Sequence, residues 1–260
     1  MTGKALILKL TFSLILLFFV ACQQDSSAQE VWEPEATEVY EPVPPVVSAE
    51  PEFLQPPSDA IILFDGSDFS NWKSAGGGEV QWSLDDGVMT VKPGTGNIIT
   101  KDQFGSVQLY LEWKTPEEIE GDGQGRGNSG VFFQRRYEVQ VLDSYENETY
   151  VNGMAGSIYK QYIPYANAAM PPGEWQTYYI IFEAPEFDDT GSLSEPGYLT
   201  VFWNGVLVHH HSEVKGTTVY IGPPEYEAHD HDGIMLQDHS DMVSFRNIWV
   251  RNLDDSPVRN

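Results

Sequence analysis

A succession of short β-type segments is the feature that most constrains the fold of this chain. From Ser58 onward, runs rich in Val, Ile, Phe, Tyr and Trp alternate with Gly, Pro, Asn and Asp, and no sustained helical period is present. Asp86-Gly87 and Asn204-Gly205 lie between such runs and predict tight hairpin turns, because both residue types tolerate positive φ. We therefore predict an all-β fold, an antiparallel β-sandwich. The predicted strands are residues 61–64, 82–84, 88–91, 107–114, 129–142, 176–183, 198–203, 206–209, 233–239 and 243–251.

Alternation along two of these strands separates an apolar face from a polar face. In 107–114 the odd positions are apolar, and the even positions include Glu112 and Lys114. The even positions of 129–142 include a polar row, which consists of Gln134, Arg136, Glu138 and Gln140. Such rows are usually solvated faces with cross-strand ion pairs, and the alternative is a face that binds sugars. The pattern alone leaves both interpretations open.

The N-terminus has the pattern of a secretory signal. Lys4 and Lys9 precede an apolar run over 10–20, which is shorter than the roughly 20 residues that a membrane-spanning helix needs. The four residues ending at Cys22 resemble a bacterial lipobox, in which the Cys is lipidated and becomes the mature N-terminus. We therefore predict a signal peptide over 1–21 and a lipid anchor at Cys22 in the bacterial cell envelope, periplasmic or on the outer-membrane surface. The alternative is an ordinary signal peptide followed by a chance Cys.

The sequence after Cys22 predicts an extended tether over 22–57, followed by one domain over 58–260. From 23 to 57 there are eight carboxylates and no Lys or Arg, and Pro recurs throughout. The whole chain has 14 Lys+Arg against 39 Asp+Glu, a net charge of −25, which argues against a nucleic-acid partner. The single Cys excludes an intramolecular disulfide and a Cys-rich zinc cluster.

Seven motifs follow one another between residues 61 and 253. They are residues 64–72, 125–145, 156–159, 171–178, 204–208, 236–239 and 245–251. In this order they resemble the 3-keto-disaccharide hydrolase domain family. The resemblance implies a concanavalin-like jelly roll in secreted or lipid-anchored bacterial proteins. It also implies action on sugars whose C3 hydroxyl a separate dehydrogenase has oxidised to a ketone.

A ketone at C3 makes the hydrogen at C2 acidic, so a base can remove it and the resulting enolate can expel the aglycone from C1. This route needs a base, a group that stabilises the enolate and an acid for the leaving oxygen. Glu138 and Glu112 are candidates for base or acid, and Arg136 and Lys160 for stabilising negative charge. His239 is the candidate for proton transfer near pH 7. Each of these side chains also has an ordinary structural interpretation, such as an ion pair.

Further side chains are candidates for holding the sugar. Asn128, Gln140 and Gln237 offer amides for hydroxyl groups, and Arg126 belongs to a Gly-rich loop over 121–130. Asp143 follows the strand and is a further candidate, with a turn-shaping role as the alternative. No oligomeric state is indicated. A non-catalytic carbohydrate-binding protein remains the alternative function, and a surface scaffold is a third.

All six histidines follow residue 208, and the sequence does not identify a specific cofactor. A divalent metal held by His229, His231 and His239 is one hypothesis, and a His-bearing flexible loop is the alternative. In the run 209–211, neighbouring side chains of a strand point in opposite directions, which makes a three-ligand site there awkward. Calcium at the edge of the sandwich is a further hypothesis.

Overall fold

A computed structural model describes residues 33–43 and 55–254. Residues 1–31 and 32–260 separate into two units, and the first unit lies wholly outside the described residues. The predicted signal peptide and Cys22 therefore lie outside them too. No helix in the described part of the chain is long and apolar enough to cross a membrane.

Nearly all regular structure is β, with short 3-10 helices at Pro34–Thr37, Gly123–Gly125 and Val151–Gly153. The described strands, in chain order, are β1 (Ile61–Phe64), β2 (Trp72–Ser74), β3 (Ser83–Asp85), β4 (Val88–Thr90), β5 (Ile98–Thr100), β6 (Val107–Lys114), β7 (Ser129–Phe133), β8 (Tyr137–Val141), β9 (Gln176–Glu183), β10 (Glu186–Phe187), β11 (Leu193–Glu195), β12 (Tyr198–Trp203), β13 (Val206–Glu213), β14 (Met235–Leu236) and β15 (Ser244–Asn252).

Two antiparallel sheets make up the sandwich. The larger has eight strands in the order β13-β12-β9-β6-β15-β4-β3, with β1 also paired to β15. The smaller has five strands in the order β2-β5-β14-β7-β8, and β10 and β11 form a separate hairpin. The prediction of an all-β antiparallel sandwich is confirmed.

The core lies between the two sheets and is rich in aromatic rings. Phe133 of β7 stacks on Phe182 of β9 with ring centroids 4.8 Å apart, which joins the small sheet to the large one. Trp113, Tyr178 and Trp203 pack together and are fully buried. Full burial of a large apolar side chain stabilises a fold by about 1.5–3 kcal/mol, so these rings hold the sheets together strongly.

The predicted turns are confirmed, but the strand predicted over 129–142 is wrong. Asp86-Gly87 and Asn204-Gly205 all have positive φ, as two-residue hairpin turns require. Gln134 and Arg135 also have φ of 50° and 60°, so the chain reverses there and forms the β7–β8 hairpin. Neither residue type signals such a turn, which is why the sequence suggested one continuous strand.

The two polar rows lie on different sheets. Glu112 is on β6 of the large sheet, whereas Glu138 and Gln140 are on β8 of the small sheet. Since the core side of both strands is apolar, their polar side chains point away from each other across the sandwich. The expectation of a single polar face is therefore wrong.

Part of the predicted tether lies against the domain. Val151 N donates a hydrogen bond to Val39 O at 2.7 Å, and the side-chain amide of Asn152 bonds the backbone of Thr37 and Val39. The prediction of an extended tether over 22–57 is therefore wrong for residues 33–43. The acidic composition concealed these contacts, because they are made by the segment's backbone, which composition does not reveal.

Candidate active site

A cavity of about 550 Å³ lies on the face of the five-stranded sheet that points away from the core. Strands β7 and β8 supply its floor, and the segments around β14 and after β8 supply its walls. The residues that line it are Gln124, Asn128, Phe132, Glu138, Gln140, Tyr150, Tyr159, Thr218, Tyr220, Gln237 and His239. Five of the predicted site residues therefore meet in one cavity: Asn128, Glu138, Gln140, Gln237 and His239.

Glu138 is the titratable group at the floor of the cavity. It is only 4% exposed, and burial raises the pKa of its carboxyl to about 8. Among the described residues, none donates a hydrogen bond to this carboxyl or forms an ion pair with it. A carboxyl that is buried, has no partner and lines a cavity is the arrangement expected of an acid or base that acts near neutral pH.

Two glutamine side chains add unpartnered acceptors. Gln140 Nε2 donates to Gln124 Oε1 at 3.2 Å and to Gly153 O at 3.2 Å, which fixes the amide. The Oε1 atoms of Gln140 and Gln237 are buried and have no hydrogen-bond partner in the described structure. Because a buried acceptor without a partner is costly, these two atoms are suited to receive hydroxyl donors from a ligand.

A pair of tyrosine hydroxyls forms another part of the lining. The oxygens of Tyr150 and Tyr159 lie 2.7 Å apart. Burial raises the pKa of both phenols, to about 12 for Tyr159, so both stay protonated at neutral pH. Whichever hydroxyl accepts the shared hydrogen bond keeps its own O–H for a third partner. Sequence reasoning missed this pair, although Tyr159 ends one of the motifs.

Asn128 and His239 also line the cavity, the first buried and the second exposed. Asn128 is held on both sides, since its backbone N donates to Asp241 Oδ2 at 2.7 Å and its Nδ2 donates to Gln124 O at 2.7 Å. His239 is exposed to solvent. Its imidazole therefore contacts solvent while it borders the cavity.

Glu112 does not line this cavity. Its carboxylate accepts hydrogen bonds from Arg246 Nε at 2.6 Å and from Asn247 Nδ2 at 2.7 Å, on the outer side of the large sheet. The guanidinium of Arg246 in turn lies 4.0 Å from the centre of the Trp175 ring. The structure thus places Glu112 in a cross-strand ion pair.

Arg136 and Lys160 do not line the cavity either. Arg136 belongs to the β7–β8 turn, where its Nη1 donates to Gln134 O at 2.8 Å and lies 3.7 Å from Asp232 Oδ2. Lys160 Nζ donates to Tyr220 O at 2.9 Å and lies 4.5 Å from the centre of the Tyr220 ring. Lys160 therefore supports the cavity wall from behind. The structure therefore does not place Arg136 or Lys160, the two candidates for stabilising negative charge, in this cavity.

Arg126 and Asp143 bind each other beside the cavity. Arg126 Nε donates to Asp143 Oδ2 at 2.6 Å, and Arg126 Nη2 donates to Tyr145 O at 2.9 Å. Burial raises the pKa of Asp143, and the hydrogen bond from Arg126 opposes that shift. The pair fixes the loop that carries Asn128, and both residues lie outside the cavity lining.

The three histidines of the predicted metal group do not come together. His229 Nε2 bonds Tyr137 OH at 2.7 Å and its Nδ1 bonds Asp230 O at 2.8 Å, so neither ring nitrogen is free. His239 borders a different cavity from the one that His229 and His231 line. Within residues 33–43 and 55–254, no three His, Cys, Asp or Glu side chains are grouped closely enough to hold a metal ion.

The run 209–211 is also not a metal site. His209 points into the core, where its Nε2 lies 2.9 Å from Gly156 O, and burial lowers its pKa to about 4. His211 stacks on Tyr198 at the surface, with ring centroids 4.0 Å apart.

Residues 59–251 match the model of a family described as the 3-keto-alpha-glucoside-1,2-lyase-like domain. A 3-keto-disaccharide hydrolase of Bacteroides thetaiotaomicron is 26% identical over 251 residues, which cover 80% of this chain and 84% of that protein. The family predicted from the seven motifs is thereby confirmed.

Two solved structures are similar to this chain in fold. A protein of Parabacteroides distasonis, provisionally described as a glycosyl hydrolase, is 50% identical with a TM-score of 0.76, over 84% of this chain and 96% of that one. A second protein of that organism with the same description is 23% identical with a TM-score of 0.56, over 75% of this chain and 94% of that one.

Proposed function

The chain belongs to the family of 3-keto-alpha-glucoside-1,2-lyase-like domains, and we propose that it cleaves the glycosidic bond of sugars that carry a ketone at C3. The names of the relatives support a glycosidase-like activity of this kind. The single observation that carries the proposal is the carboxyl of Glu138, buried and without a partner at the floor of a cavity lined by amides and phenols.

Glu138 is proposed as the base that removes the proton from C2. Its raised pKa makes the carboxylate a stronger base than an ordinary glutamate, and transfer of the proton yields the neutral carboxylic acid that burial favours. An ordinary glycosidase needs two carboxylates that flank the anomeric bond. Among residues 33–43 and 55–254, Glu138 is the only carboxylate that lines this cavity, so the lining fits elimination through an enolate better.

The proposed elimination and hydration consume no reagent other than water. The electrons of the C2–H bond move into the C2–C3 bond, and the C3 oxygen becomes an enolate. The C3 ketone then re-forms, a double bond forms between C1 and C2, and the C1–O bond to the aglycone breaks. Water next adds its hydroxyl group to C1, and C2 regains a proton from Glu138, so that the net reaction is hydrolysis.

The Tyr150–Tyr159 pair is proposed to donate a hydrogen bond to the enolate oxygen. The pair keeps one O–H for such a partner, and its raised pKa values keep it protonated as the charge develops. This assignment replaces the cations Arg136 and Lys160, because neither lines the cavity. The free acceptors of Gln140 and Gln237 are proposed to bind sugar hydroxyls.

His239 is proposed as the acid that protonates the leaving oxygen. It lines the same cavity as Glu138, and its exposure allows solvent to replace the proton after each turnover. Glu138 and His239 would then divide the roles of base and acid.

The test compares a 3-keto-disaccharide with the unoxidised disaccharide. Turnover is expected for the keto sugar alone, and in D2O the released sugar should carry deuterium at C2, because the base exchanges its proton with solvent. Glu138→Gln should lower turnover by a factor of about 10³ or more. Glu112→Gln is the matched control on the other sheet, and turnover per folded molecule should persist.

Two results would contradict the proposal. They are cleavage of both sugars at the same rate and full activity of Glu138→Gln. Saturable binding of the sugar with no product at any pH would instead favour a carbohydrate-binding protein.

We also propose that the mature protein is anchored in the bacterial cell envelope through lipid on Cys22, which lies outside the described residues. The short apolar run after Lys4 and Lys9 supports this proposal. Labelling with a fatty acid that carries a chemical tag should mark the wild type and not Cys22→Ala. An equally labelled variant would contradict the anchor.

A further inference from the structure

The N-terminal segment, residues 33–43, is held on the domain by specific hydrogen bonds. The side chain of Asn152 is 3% exposed, accepts a hydrogen bond from Val39 N at 3.0 Å and donates one to Thr37 O at 2.9 Å. Val151 N donates to Val39 O at 2.7 Å. The domain thus binds the backbone of this segment. The position of the segment therefore depends little on which side chains most of its residues carry.

Lys160 adds a second attachment. Its Nζ donates to Pro34 O at 2.9 Å and lies 3.8 Å from Glu38 Oε1. The same Nζ lies 5.2 Å from the centre of the Tyr150 ring and 4.5 Å from that of Tyr220. One ammonium group therefore joins the N-terminal segment to two walls of the candidate active site.

The cavity that Glu138 lines, the first cavity, has a second cavity of about 680 Å³ beside it. Glu38 and Tyr40 of the N-terminal segment line the second cavity, together with the loops around residues 122–126 and 146–150. Gln124 and Tyr150 line both cavities. The two spaces therefore share a boundary, and a ligand longer than one sugar ring that fills the first cavity has the second one next to it.

Tyr40 presents its ring to this second space. It is 55% exposed, and its hydroxyl donates to Glu38 Oε2 at 2.7 Å, which fixes the orientation of the phenol. Its ring stands edge-on to that of Tyr150, with centroids 6.4 Å apart. A fixed and exposed aromatic ring beside a cavity is a surface on which the apolar face of a sugar can pack.

The charge of the second cavity limits what it can hold. Four carboxylates border it: Glu38, Asp122, Glu146 and Glu148. Its one bordering cation, among the residues described, is Arg126, which is already paired with Asp143. An anionic group would be repelled there, whereas an uncharged sugar would not.

We propose that the N-terminal segment completes the binding site, and that Tyr40 is a specificity-determining residue that packs on the leaving unit of the substrate, an uncharged sugar. This inference rests on the proposed function for the identity of the substrate. The segment lies before residues 59–251, so the family match itself does not contain it.

The experiment compares two substrates on Tyr40→Ala: a 3-keto-disaccharide and the methyl glycoside of the same 3-keto sugar, whose leaving group is too small to reach Tyr40. KM for the disaccharide should rise about tenfold, with kcat changed less than about twofold, because packing on the leaving sugar contributes to binding. Both constants for the methyl glycoside should stay unchanged. Tyr165→Ala is the matched control, because Tyr165 is also 55% exposed and lines neither cavity.

Equal effects on both substrates, or no effect on either, would overturn the role of Tyr40. If the wild type cleaves neither keto sugar, the proposed function fails, and the second cavity is then tested by calorimetry with the unoxidised disaccharide and its monosaccharide. Weaker binding of the disaccharide alone to Tyr40→Ala would still support the subsite, and unchanged binding would overturn it. A disaccharide whose leaving sugar is a uronic acid should bind more weakly than the neutral one, and added salt should reduce that difference.

Discussion

The carboxyl of Glu138 lies directly over the backbone of Gly130 on the neighbouring strand. A Cβ atom at Gly130 would stand 2.5 Å from Glu138 Oε1 and 2.7 Å from a ring carbon of Phe132. Only glycine leaves room for the carboxyl in this position. The sequence of β7 thus determines where the proposed base can sit.

Gly130→Ala is therefore expected to lower kcat of the keto-sugar reaction by about tenfold or more, because the added methyl displaces the carboxyl from its place. The atoms that must move are the ends of flexible side chains, so the variant should still fold. Steady-state kinetics and the melting temperature measure the two effects separately. Gly76→Ala is the control, since the nearest atom to its Cβ would be Ser74 Oγ at 3.8 Å. Wild-type kcat in Gly130→Ala would show that the position of Glu138 is not critical.

Burial of Glu138 also predicts how stability depends on pH. The pKa of its carboxyl is about 8 in the folded state, against 4.5 for the ordinary group. Between these values the folded state binds more protons than the unfolded state, so this group lowers the free energy of unfolding as pH rises from 4.5 to 8. The loss is at most about 5 kcal/mol and is complete above pH 8.

Glu138→Gln removes this loss, because the amide stays neutral. The variant should be more stable than the wild type at pH 8.5 and nearly as stable at pH 5. Urea unfolding at the two pH values provides the measurement. If Glu138→Gln were less stable than the wild type at pH 8.5, the carboxylate of Glu138 would have to be favourably solvated or paired in the folded state.

The same pKa predicts the pH dependence of catalysis. If removal of the C2 proton by ionised Glu138 limits the rate, kcat/KM should rise about tenfold per pH unit below 8 and level off above that value. The measurement is kcat/KM for a 3-keto-disaccharide between pH 5.5 and 9.5. A rate that falls as pH rises through 8 would instead show that a protonated group limits the reaction, either Glu138 as an acid or the proposed acid His239.

The sequence predicted β1, β6, β9 and β12 with their observed bounds, located only the first half of β13, and missed four short strands. Strands β6, β9 and β12 have the predicted bounds, because several consecutive alternations identify a strand with one buried face. Strands β2, β5, β10 and β11 were missed, since two or three residues are too few to show a period. Their positions depend on pairing with distant strands, which local sequence does not contain.

Prediction of the candidate site from local sequence has the same limit. Glu138 and Gln140 were identified because they alternate with core residues on one strand, and both line the cavity. Arg136 was misplaced because the turn at Gln134 and Arg135 depends on backbone conformations that these residue types rarely adopt. Tyr150 reaches the cavity from a loop, for which no periodicity exists.

Lys160 is expected to hold the N-terminal segment in place. Lys160→Met removes its hydrogen bonds to Pro34 O and Tyr220 O, and hydrogen bonds from a charged donor contribute about 1.5–3 kcal/mol each. The Val39 amide should therefore exchange its hydrogen at least tenfold faster in the variant. Lys215→Met is the matched control, because its Nζ lies 4.3 Å from the Tyr162 ring and makes no contact with residues 33–43. Unchanged exchange at Val39 in Lys160→Met would show that the bonds to Asn152 and Val151 suffice.

His209 is expected to destabilise the domain in acid. Its folded-state pKa is about 4, because burial disfavours the imidazolium, whereas the unfolded side chain titrates near its ordinary value of 6.5. The unfolded state therefore binds more protons between these values, and the free energy of unfolding falls by up to about 3 kcal/mol as pH drops from 6.5 to 4. His209→Gln, which keeps a donor for Gly156 O, should abolish this part of the pH dependence, as measured by urea unfolding at pH 7.5 and 4.5. His210→Gln is the exposed neighbour and the control, and it should keep the wild-type dependence. The assignment fails if His209→Gln loses as much stability as the wild type on going from pH 7.5 to 4.5.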